Sequence, residues 1–336
     1  MKFGAVPLAA AEGAILAHSL QANGRRVAKG TVLTAADLED LAAAGHNALT
    51  VAQPEPGDLH EDAAAMALAR AIVPDAKAQN IRISGAGAGR VNLYAGSCGI
   101  VRLDRARLEA VNAVDPVVTI ATVPDFHRVD AGGMIATIKI IAYAVPEAAV
   151  AKAGQGAGGA MSVAAPVIRS ATLIETRVSE DIPPDKGRAA MRGRLDRMGV
   201  PLAPRVVVRH REAELADAIK AAEGELVLIL TGSATSDPLD VAPQALRQAG
   251  GHVERFGMPV DPGNLLFTGD HQGRPVIGLP GCARSPALNG ADWVLERILC
   301  GAEVRSADIA AMGVGGLLKE IPTRPMPRRG GSPQAG

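Results

Sequence analysis

Two apolar runs in the second half of the chain each stop at a loop rich in groups that bind anions. The run at 226–230 is followed by TGSATSDPLD, which supplies four hydroxyls and two carboxylates. The run at 275–279 is followed by PGCARS, which supplies a glycine, Arg284 and Ser285. Glycine lets the backbone approach a ligand, and arginine can bind a phosphate through two parallel hydrogen bonds. The pattern predicts a site for a phosphate-bearing or other polar ligand.

A third loop of the same kind is GMPVDPGNLL, at 257–266, where two proline turns flank a carboxylate. The candidate ligand-binding residues supply backbone N–H groups, hydroxyls, an amide or a guanidinium, apart from two prolines that belong to the turns. They are Thr231, Gly232, Ser233, Thr235, Ser236, Pro262, Gly263, Asn264, Gly278, Pro280, Gly281, Arg284 and Ser285. Three carboxylates are candidates for proton transfer and hence for catalysis, namely Asp237, Asp240 and Asp261. Asp240 and Asp261 are also candidate ligands of Mg²⁺, which prefers oxygen donors.

The first two loops also have a simpler structural interpretation. The first could be an ordinary strand-to-helix loop in which Ser236 or Asp237 caps a helix that begins at Pro238. The second could be a Pro-Gly turn with Arg284 in solvent. Cys282 is expected to be an inert loop residue rather than a nucleophile, although a nearby arginine and helix start could lower the pKa of its thiol.

From residue 166 onward, short apolar runs alternate with helix-like segments. The predicted strands are 167–177, 205–208 and 226–230, the predicted helices are 185–198, 212–222, 241–249 and 286–299, and a hairpin is predicted around Gln272-Gly273. Strands this apolar are typical of a parallel sheet that helices cover on both faces. The predicted fold class is therefore α/β, a three-layer α/β/α domain with a mostly parallel sheet, preceded by a smaller mixed α+β region. The loops beyond the strand ends are expected to form the ligand crevice.

The first half of the chain has weaker patterns. Apolar spacing at 8–22 predicts a helix, and a second helix is expected at 35–44, capped by Thr34. The alanine- and glycine-rich stretch after Pro146 predicts either a weak helix or a linker. We expect five segments, namely an N-terminal α+β segment at 1–73, a small β-rich domain at 74–147, the helix or linker at 148–165, the α/β/α domain at 166–301, and a partly disordered tail at 302–336.

Composition excludes some classes of function. The 35 basic and 35 acidic residues cancel, so no general attraction to nucleic acid or to an anionic membrane is expected. Aromatic residues make up only 2% of the chain, which disfavours base stacking. The three cysteines are too scattered for a disulfide framework and, in the absence of a signal peptide or membrane span, predict a cytoplasmic protein.

At the three loops the sequence resembles the molybdopterin-binding domain of the molybdopterin molybdenumtransferase family. The resemblance rests on Thr231-Gly232-Ser233 with a carboxylate several residues later, on the Pro262-Gly263 turn, and on the GLPG run at 278–281. The run at 30–45 is similar to a segment that precedes this domain in the family. The sequence is closer still to a variant group in which such a region is followed by a domain like a molybdenum cofactor cytidylyltransferase. The stretches GRVNLYAG, TGSATSDPLDVAP and GMPVDPGNLL recur in that group.

The resemblance implies a domain that binds molybdopterin, a pterin with a dithiolene and a terminal phosphate. It implies that Gly232, Ser233 and Gly281 offer N–H groups to the phosphate, that Arg284 neutralises its charge, and that Asp240 binds the pterin or Mg²⁺. The leading hypothesis is a transferase-like protein of molybdenum cofactor biosynthesis, which binds molybdopterin or its adenylylated form and assists the insertion of molybdate.

Two alternatives remain open. Asp261 and Asn264 stand where the family has lysines that would attract molybdate. This difference favours a non-catalytic module that holds molybdopterin for a nucleotidyltransferase or for a molybdoenzyme apo-protein. A third hypothesis is a related α/β enzyme that processes nucleotides, such as a nicotinamide-nucleotide amidase. The resemblance also implies that the protein forms a homo-oligomer.

Overall fold

The computed structural model describes residues 1–318. Contacts divide the chain after Ala165 into two compact units, which we call unit 1 and unit 2. The finer divisions expected within the chain stay predictions. Of the expected tail, 302–318 lie in the described part and include a short helix, whereas 319–336 lie outside it. No helix within residues 1–318 is both long and apolar enough to cross a membrane.

Unit 1 consists of small antiparallel sheets and four α-helices. Its strands are β1 (Lys2–Pro7), β2 (Ile15–Leu16), β3 (Leu20–Ala22), β4 (Arg25–Val27), β5 (Ala48–Gln53), β6 (Asp58–His60), β7 (Ile81–Ile83), β8 (Arg90–Ala95), β9 (Gly99–Leu103), β10 (Val118–Thr122), β11 (Arg128–Val129), β12 (Met134–Ile140), β13 (Ala144–Pro146) and β14 (Met161–Ala164). Its helices are a 3-10 turn at Leu8–Ala10, α1 (Ala35–Ala43), α2 (Glu61–Ile72), α3 (Arg105–Asn112) and α4 (Glu147–Gly154).

The sheets of unit 1 enclose two hydrophobic clusters. Strands pair in the orders β1-β5-β2, β10-β12-β8-β7, β11-β9-β14, β13-β6 and β3-β4. One cluster lies under α1 and includes Leu41 and Val51. The other surrounds the apolar face of α2 and includes Leu68, Leu93 and Ile138.

Unit 1 contradicts one local prediction and resolves one that was left open. The helix expected at 8–22 is wrong, because only Leu8–Ala10 forms a helical turn and Ile15–Leu16 pairs with β5 instead. Gly13, with a φ of +74°, lies in a second turn, which the hydrogen bond from the Ala14 N–H to the Ala11 carbonyl oxygen closes and which leads into β2. The stretch 148–165, left open between helix and linker, contains the rest of α4 and then β14.

The expected start of α1 is confirmed, with a reciprocal cap. The Thr34 hydroxyl accepts from the Asp37 N–H at 3.3 Å, and an Asp37 carboxylate oxygen accepts from the Thr34 N–H at 3.0 Å. Arg25 donates to the other Asp37 oxygen at 2.7 Å. Hydrogen bonds from Thr34 and Arg25 lower the pKa of Asp37 to about 2.

We predict that Asp37→Asn lowers the free energy of unfolding by about 1 kcal/mol near neutral pH, because it weakens the cap and removes the charge beside Arg25. The folded-state pKa lies below that of an unfolded aspartate, so this contribution is complete above about pH 4 and is lost as the pH falls towards 2. Urea titrations of parent and variant should therefore differ less near pH 3 than near pH 7. Equal differences at both pH values would contradict the assignment, and Glu39→Gln, on the exposed side of α1, should change neither.

Unit 2 alternates strands with helices, as predicted. Its strands are β15 (Ala171–Arg177), β16 (Val206–Arg209), β17 (Leu226–Leu230), β18 (His252–Phe256), β19 (Phe267–His271) and β20 (Arg274–Gly278). Its helices are α5 (Lys186–Asp196), α6 (Glu212–Ala221), α7 (Val241–Gln248), α8 (Gly290–Leu299), α9 (Ser306–Ala311) and a 3-10 turn at Gly281–Arg284. The hairpin around Gln272-Gly273 is confirmed.

The six strands of unit 2 form one sheet in the order β16-β15-β17-β20-β19-β18. The pairs β15-β16, β15-β17 and β17-β20 are parallel, and β19 is antiparallel to both of its neighbours. The chain leaves β15 towards β16 on one side and leaves β17 towards β18 on the other. The carboxyl ends of β15 and β17 therefore flank a topological switch point, where α/β sheets bind ligands.

Helices cover both faces of this sheet, so the predicted α/β/α layering is confirmed. Helices α6 and α7 pack on Ile174, Val227 and Ile229. Successive strand residues point to opposite faces, and Leu230 lies against Gly187 of α5. All five residues of β17 are buried, as expected for a central parallel strand.

Candidate functional site

The candidate site lies at the carboxyl ends of β15 and β17. Gly232 follows β17 and packs directly on the end of β15, where a Cβ atom at Gly232 would come within 2.7 Å of the Thr176 carbonyl oxygen. Its N–H donates to the Thr176 hydroxyl at 2.8 Å. That hydroxyl is also 2.9 Å from Nδ1 of His210, which follows β16. The Gly232 N–H is therefore already occupied.

Asp240 starts the helix after this loop. One carboxylate oxygen accepts from the Val241 N–H at 2.7 Å and the other from the Ser236 N–H at 3.0 Å. The interpretation in which Ser236 or Asp237 caps a helix starting at Pro238 is wrong, because α7 begins three residues later and Asp240 is its N-cap. Asp237 stabilises the preceding turn by accepting from the Leu239 N–H at 2.7 Å.

The hydroxyl-bearing residues of this loop differ in exposure. Thr231 and Thr235 are buried, and their hydroxyl oxygens lie 3.4 Å apart. Ser233 and Ser236 are exposed. Thr231 and Thr235 thus stabilise the loop from inside, whereas Ser233 and Ser236 face solvent, where a ligand can reach them.

The loop after β20 is joined to the first loop through Arg284, whose guanidinium donates to the Thr231 carbonyl oxygen. Gly281 lies exposed at the start of the 3-10 turn, after the buried Pro280. Gly278 has a packing role, because a Cβ atom there would overlap the Phe267 ring at 1.8 Å.

Two backbone donors on the joined loops are available to an anion. Within residues 1–318, neither the Ser233 N–H nor the Gly281 N–H donates a hydrogen bond to the protein. Both residues are exposed, and the Arg284 contact links their loops. Exposed N–H groups that converge beyond parallel strands are the usual protein contribution to a phosphate site.

The buried guanidinium of Arg194, on α5, holds the loop after β20 in place. It donates to the carbonyl oxygens of Ala283 at 3.0 Å, Ser285 at 2.8 Å and Ala287 at 3.1 Å. It also forms a salt bridge of 2.5 Å with Asp292 on α8, and both side chains are at most 4% exposed. Asp292 in turn accepts from the Asn289 N–H in a capping box at the start of α8.

The third predicted loop packs against the start of α8. The Gly290 N–H donates to the Pro262 carbonyl oxygen at 2.8 Å, and Gly263, with φ of +144°, has no room for a side chain beside Gly290. Asn264 is exposed, and its carbonyl oxygen accepts from the Met258 N–H. Asp261 pairs through its backbone with Gly316 and Leu318. The three loops are thus connected through Arg284, Arg194 and the start of α8.

Cys282 is not prepared for nucleophilic chemistry. Burial raises the pKa of its thiol, and the opposing effect of Arg194 is smaller. A thiol with a raised pKa is protonated near neutral pH and is a weak nucleophile. This agrees with the expectation that Cys282 is an inert loop residue.

The carboxylates do not form a dense metal site. The described part of the chain contains no group of three or more His, Cys, Asp or Glu side chains placed to hold a metal ion. Asp237 and Asp240 lie on the same loop, and Asp261 lies on another. A Mg²⁺ ion shared with ligand phosphates needs only one or two protein carboxylates, so a Mg²⁺ site at Asp240 and Asp261 stays a prediction.

Sequence reasoning missed several residues that shape the site, namely Thr176, His210, Arg194, Asp292 and the pair Glu175–Arg205. Glu175 is 2% exposed and is bound by Arg205 at 2.7 Å, which also anchors the entry to α5 through the Pro183 carbonyl oxygen at 2.6 Å. A signal was present, because Thr172, Glu175 and Thr176 are polar residues inside an otherwise apolar strand. Buried polar residues require partners, and those partners lie far away in sequence.

The segment that contains the candidate site is similar to a known protein family. Residues 171–299 match the family model described as a probable molybdopterin binding domain. The match begins at the first residue of β15 and ends at the last residue of α8, so it includes all three loops. Residues 5–53 match a family described as a domain of unknown function. No curated protein matches the chain significantly.

Solved structures give weaker likenesses. Two molybdopterin biosynthesis MoeA structures, from Pyrococcus horikosii and Pyrococcus horikoshii OT3, are 13% and 11% identical with TM-scores of 0.31 and 0.24. They cover 89% and 90% of this chain, which spans 75% of each. A CinA protein of unknown function from Thermoplasma acidophilum is 17% identical over 35% of this chain and 90% of its own, with a TM-score of 0.25. TM-scores this low do not establish a shared fold.

We predict that Arg194→Met lowers the free energy of unfolding by about 3–5 kcal/mol, because Asp292 and three loop carbonyls lose their buried partner. Urea unfolding measures this loss. Arg192→Met, on the exposed side of the same helix, is the matched control and should change stability by less than about 0.5 kcal/mol. Similar stability of the two variants would show that Arg194 does not hold the loops.

Proposed function

We propose that unit 2 binds molybdopterin as part of molybdenum cofactor biosynthesis. The observation that supports this most strongly is the match of 171–299 to a probable molybdopterin binding domain, which includes every loop of the candidate site. The unpaired Ser233 and Gly281 N–H groups add independent physical support, because they suit the terminal phosphate of that ligand.

In this proposal the loops after β17 and β20 each supply groups that bind the phosphate. Ser233 and Gly281 donate N–H groups to the phosphate, while Ser236 and Ser285 offer hydroxyls beside it. Arg284 both joins the loops and supplies positive charge. Gly232 contributes differently from the expectation, because its N–H is used by Thr176 and its role is to let the two strand ends approach.

The finer proposal is that the protein assists the insertion of molybdate into molybdopterin or its adenylylated form. Asp240 and Asp261 would hold a Mg²⁺ ion, which supplies positive charge to the phosphates of an adenylylated ligand. Asp237 would act in proton transfer from the first loop. The residues of this chain would mainly position the ligand, which is how enzymes lower the entropic cost of bringing reactants together.

A non-catalytic carrier is the second candidate. Both oxygens of Asp240 accept backbone N–H groups, and Asp237 accepts another, so these carboxylates already have structural tasks. A carrier would hold molybdopterin for a nucleotidyltransferase or for a molybdoenzyme apo-protein. We place either activity in the cytoplasm, and we propose that the protein works as a homo-oligomer.

Calorimetry with molybdopterin, followed by a turnover assay with molybdate, separates these proposals. Saturable binding together with molybdate-dependent product supports the transferase. Binding without product supports the carrier. If the folded protein binds no molybdopterin, both are wrong.

The role of Asp240 in metal binding can be tested without disturbing α7. Asparagine can still cap α7 through its side-chain oxygen, but its amide cannot also accept from the Ser236 N–H, so Asp240→Asn should remove the charge and lower the free energy of unfolding by about 1 kcal/mol. We expect the Mg²⁺-dependent part of ligand affinity to fall about tenfold in calorimetry with and without Mg²⁺. Asp217→Asn, on the exposed surface of α6, is the control. An unchanged Mg²⁺ dependence in Asp240→Asn would rule out this carboxylate as a metal ligand.

A further inference from the structure

His210 occupies a position at the candidate site that the sequence did not single out. It follows β16, whose neighbour in the sheet is β15, so it lies at the same edge as Thr176. Its side chain is half-buried, and burial lowers the pKa of the imidazole while the Asp240 carboxylate partly opposes that shift. The ring is therefore neutral near pH 7.

The hydrogen-bond chain determines which ring nitrogen carries the proton. The Thr176 hydroxyl oxygen accepts from the Gly232 N–H at 2.8 Å and has one hydrogen of its own to donate. Thr176 is 1% exposed, and the acceptor within reach of its hydroxyl is Nδ1 of His210, which lies 2.9 Å from the hydroxyl oxygen. Leaving a buried hydroxyl hydrogen without an acceptor is costly, so Nδ1 accepts and the proton of the neutral ring lies on Nε2.

The Nε2–H group is consequently a hydrogen-bond donor that has no acceptor in the described part of the protein. Within residues 1–318, Nε2 of His210 makes no hydrogen bond. His210 is joined through Thr176 to Gly232, the residue before Ser233. The Asp240 carboxylate on the same loop is near enough to act on the pKa of the ring.

We propose that His210 is a ligand-contacting residue whose Nε2–H donates to an anionic oxygen of the ligand bound beside the loop after β17. This inference rests on the proposed function of unit 2. Thr176 acts as the positioning residue, because it holds Nδ1 as an acceptor and so keeps the proton on Nε2. The same contact connects the ligand to Gly232 and thus to the first loop.

Two substitutions separate ligand contact from structural support. Asparagine places an amide oxygen near the position of Nδ1, so His210→Asn keeps an acceptor for Thr176 and loses the Nε2 donor. Glutamine places an amide N–H near the position of Nε2, so His210→Gln keeps the donor and loses the acceptor. His252→Asn, at an exposed position in β18, is the control.

Calorimetry with molybdopterin and thermal unfolding should then give opposite rankings. We expect His210→Asn to bind about tenfold more weakly than the parent with little change in Tm, because a hydrogen bond to a charged group is lost. His210→Gln should bind within about threefold of the parent but unfold at a lower temperature, because a buried hydroxyl loses its acceptor.

Other outcomes overturn the inference in distinguishable ways. If the parent binds and His210→Asn binds equally well, or His210→Gln is the weaker binder, His210 is only structural and the proposed function stands. If the folded parent does not bind molybdopterin, the proposed function is wrong and the inference is rejected with it. Side-chain nitrogen NMR of the free protein tests the first step separately, since a proton on Nδ1 of His210 would contradict it.

Discussion

The guanidinium of Arg194 lies buried between α5 and the loop after β20, where it binds Asp292 and three carbonyl oxygens of that loop. Moving such a charge out of water costs several kcal/mol, which is offset only when a carboxylate and well-aligned acceptors surround it. Every one of those acceptors lies about 90 residues later in the chain. The shape of the loop after β20 and the start of α8 therefore depend on a side chain from α5, which comes much earlier in the sequence.

The contacts of Arg194 also determine how the three loops of the site are connected. The Arg194 contacts place the 3-10 turn so that Arg284 reaches the Thr231 carbonyl oxygen and joins the two loops. The start of α8 also receives the Pro262 turn, so the third loop belongs to the same connected frame. What remains exposed between the first two loops are N–H groups without partners, which suits an anionic ligand. Stability and ligand binding thus use different atoms of the same short segments.

Much of unit 2 could be predicted from local patterns. The strand at Leu226–Leu230 was predicted to the residue, and the alternation of strands and helices led to the correct layering. Prediction did worse where a local pattern fits more than one structure. The apolar spacing at 8–22 suits a helix, but Ile15–Leu16 form backbone hydrogen bonds with β5 instead and bury their side chains there. Likewise, the run SATSDPLD contains several good capping residues, and only the packed start of α7 shows that Asp240 is used.

The fold class of unit 2 and the segments that carry the site could be predicted from the sequence, because hydrophobic period and turn chemistry are local properties. The sequence also determines which residue types stand at the strand ends. Long-range packing determines which of these groups already have a hydrogen-bond partner in the protein. Gly232 has its N–H bound by Thr176, whereas Ser233 and Gly281 do not donate within the described chain, and His210 joins the site from another strand. Local sequence patterns cannot show these contacts, because each donor needs an acceptor within about 3 Å and that acceptor lies tens of residues away in the chain.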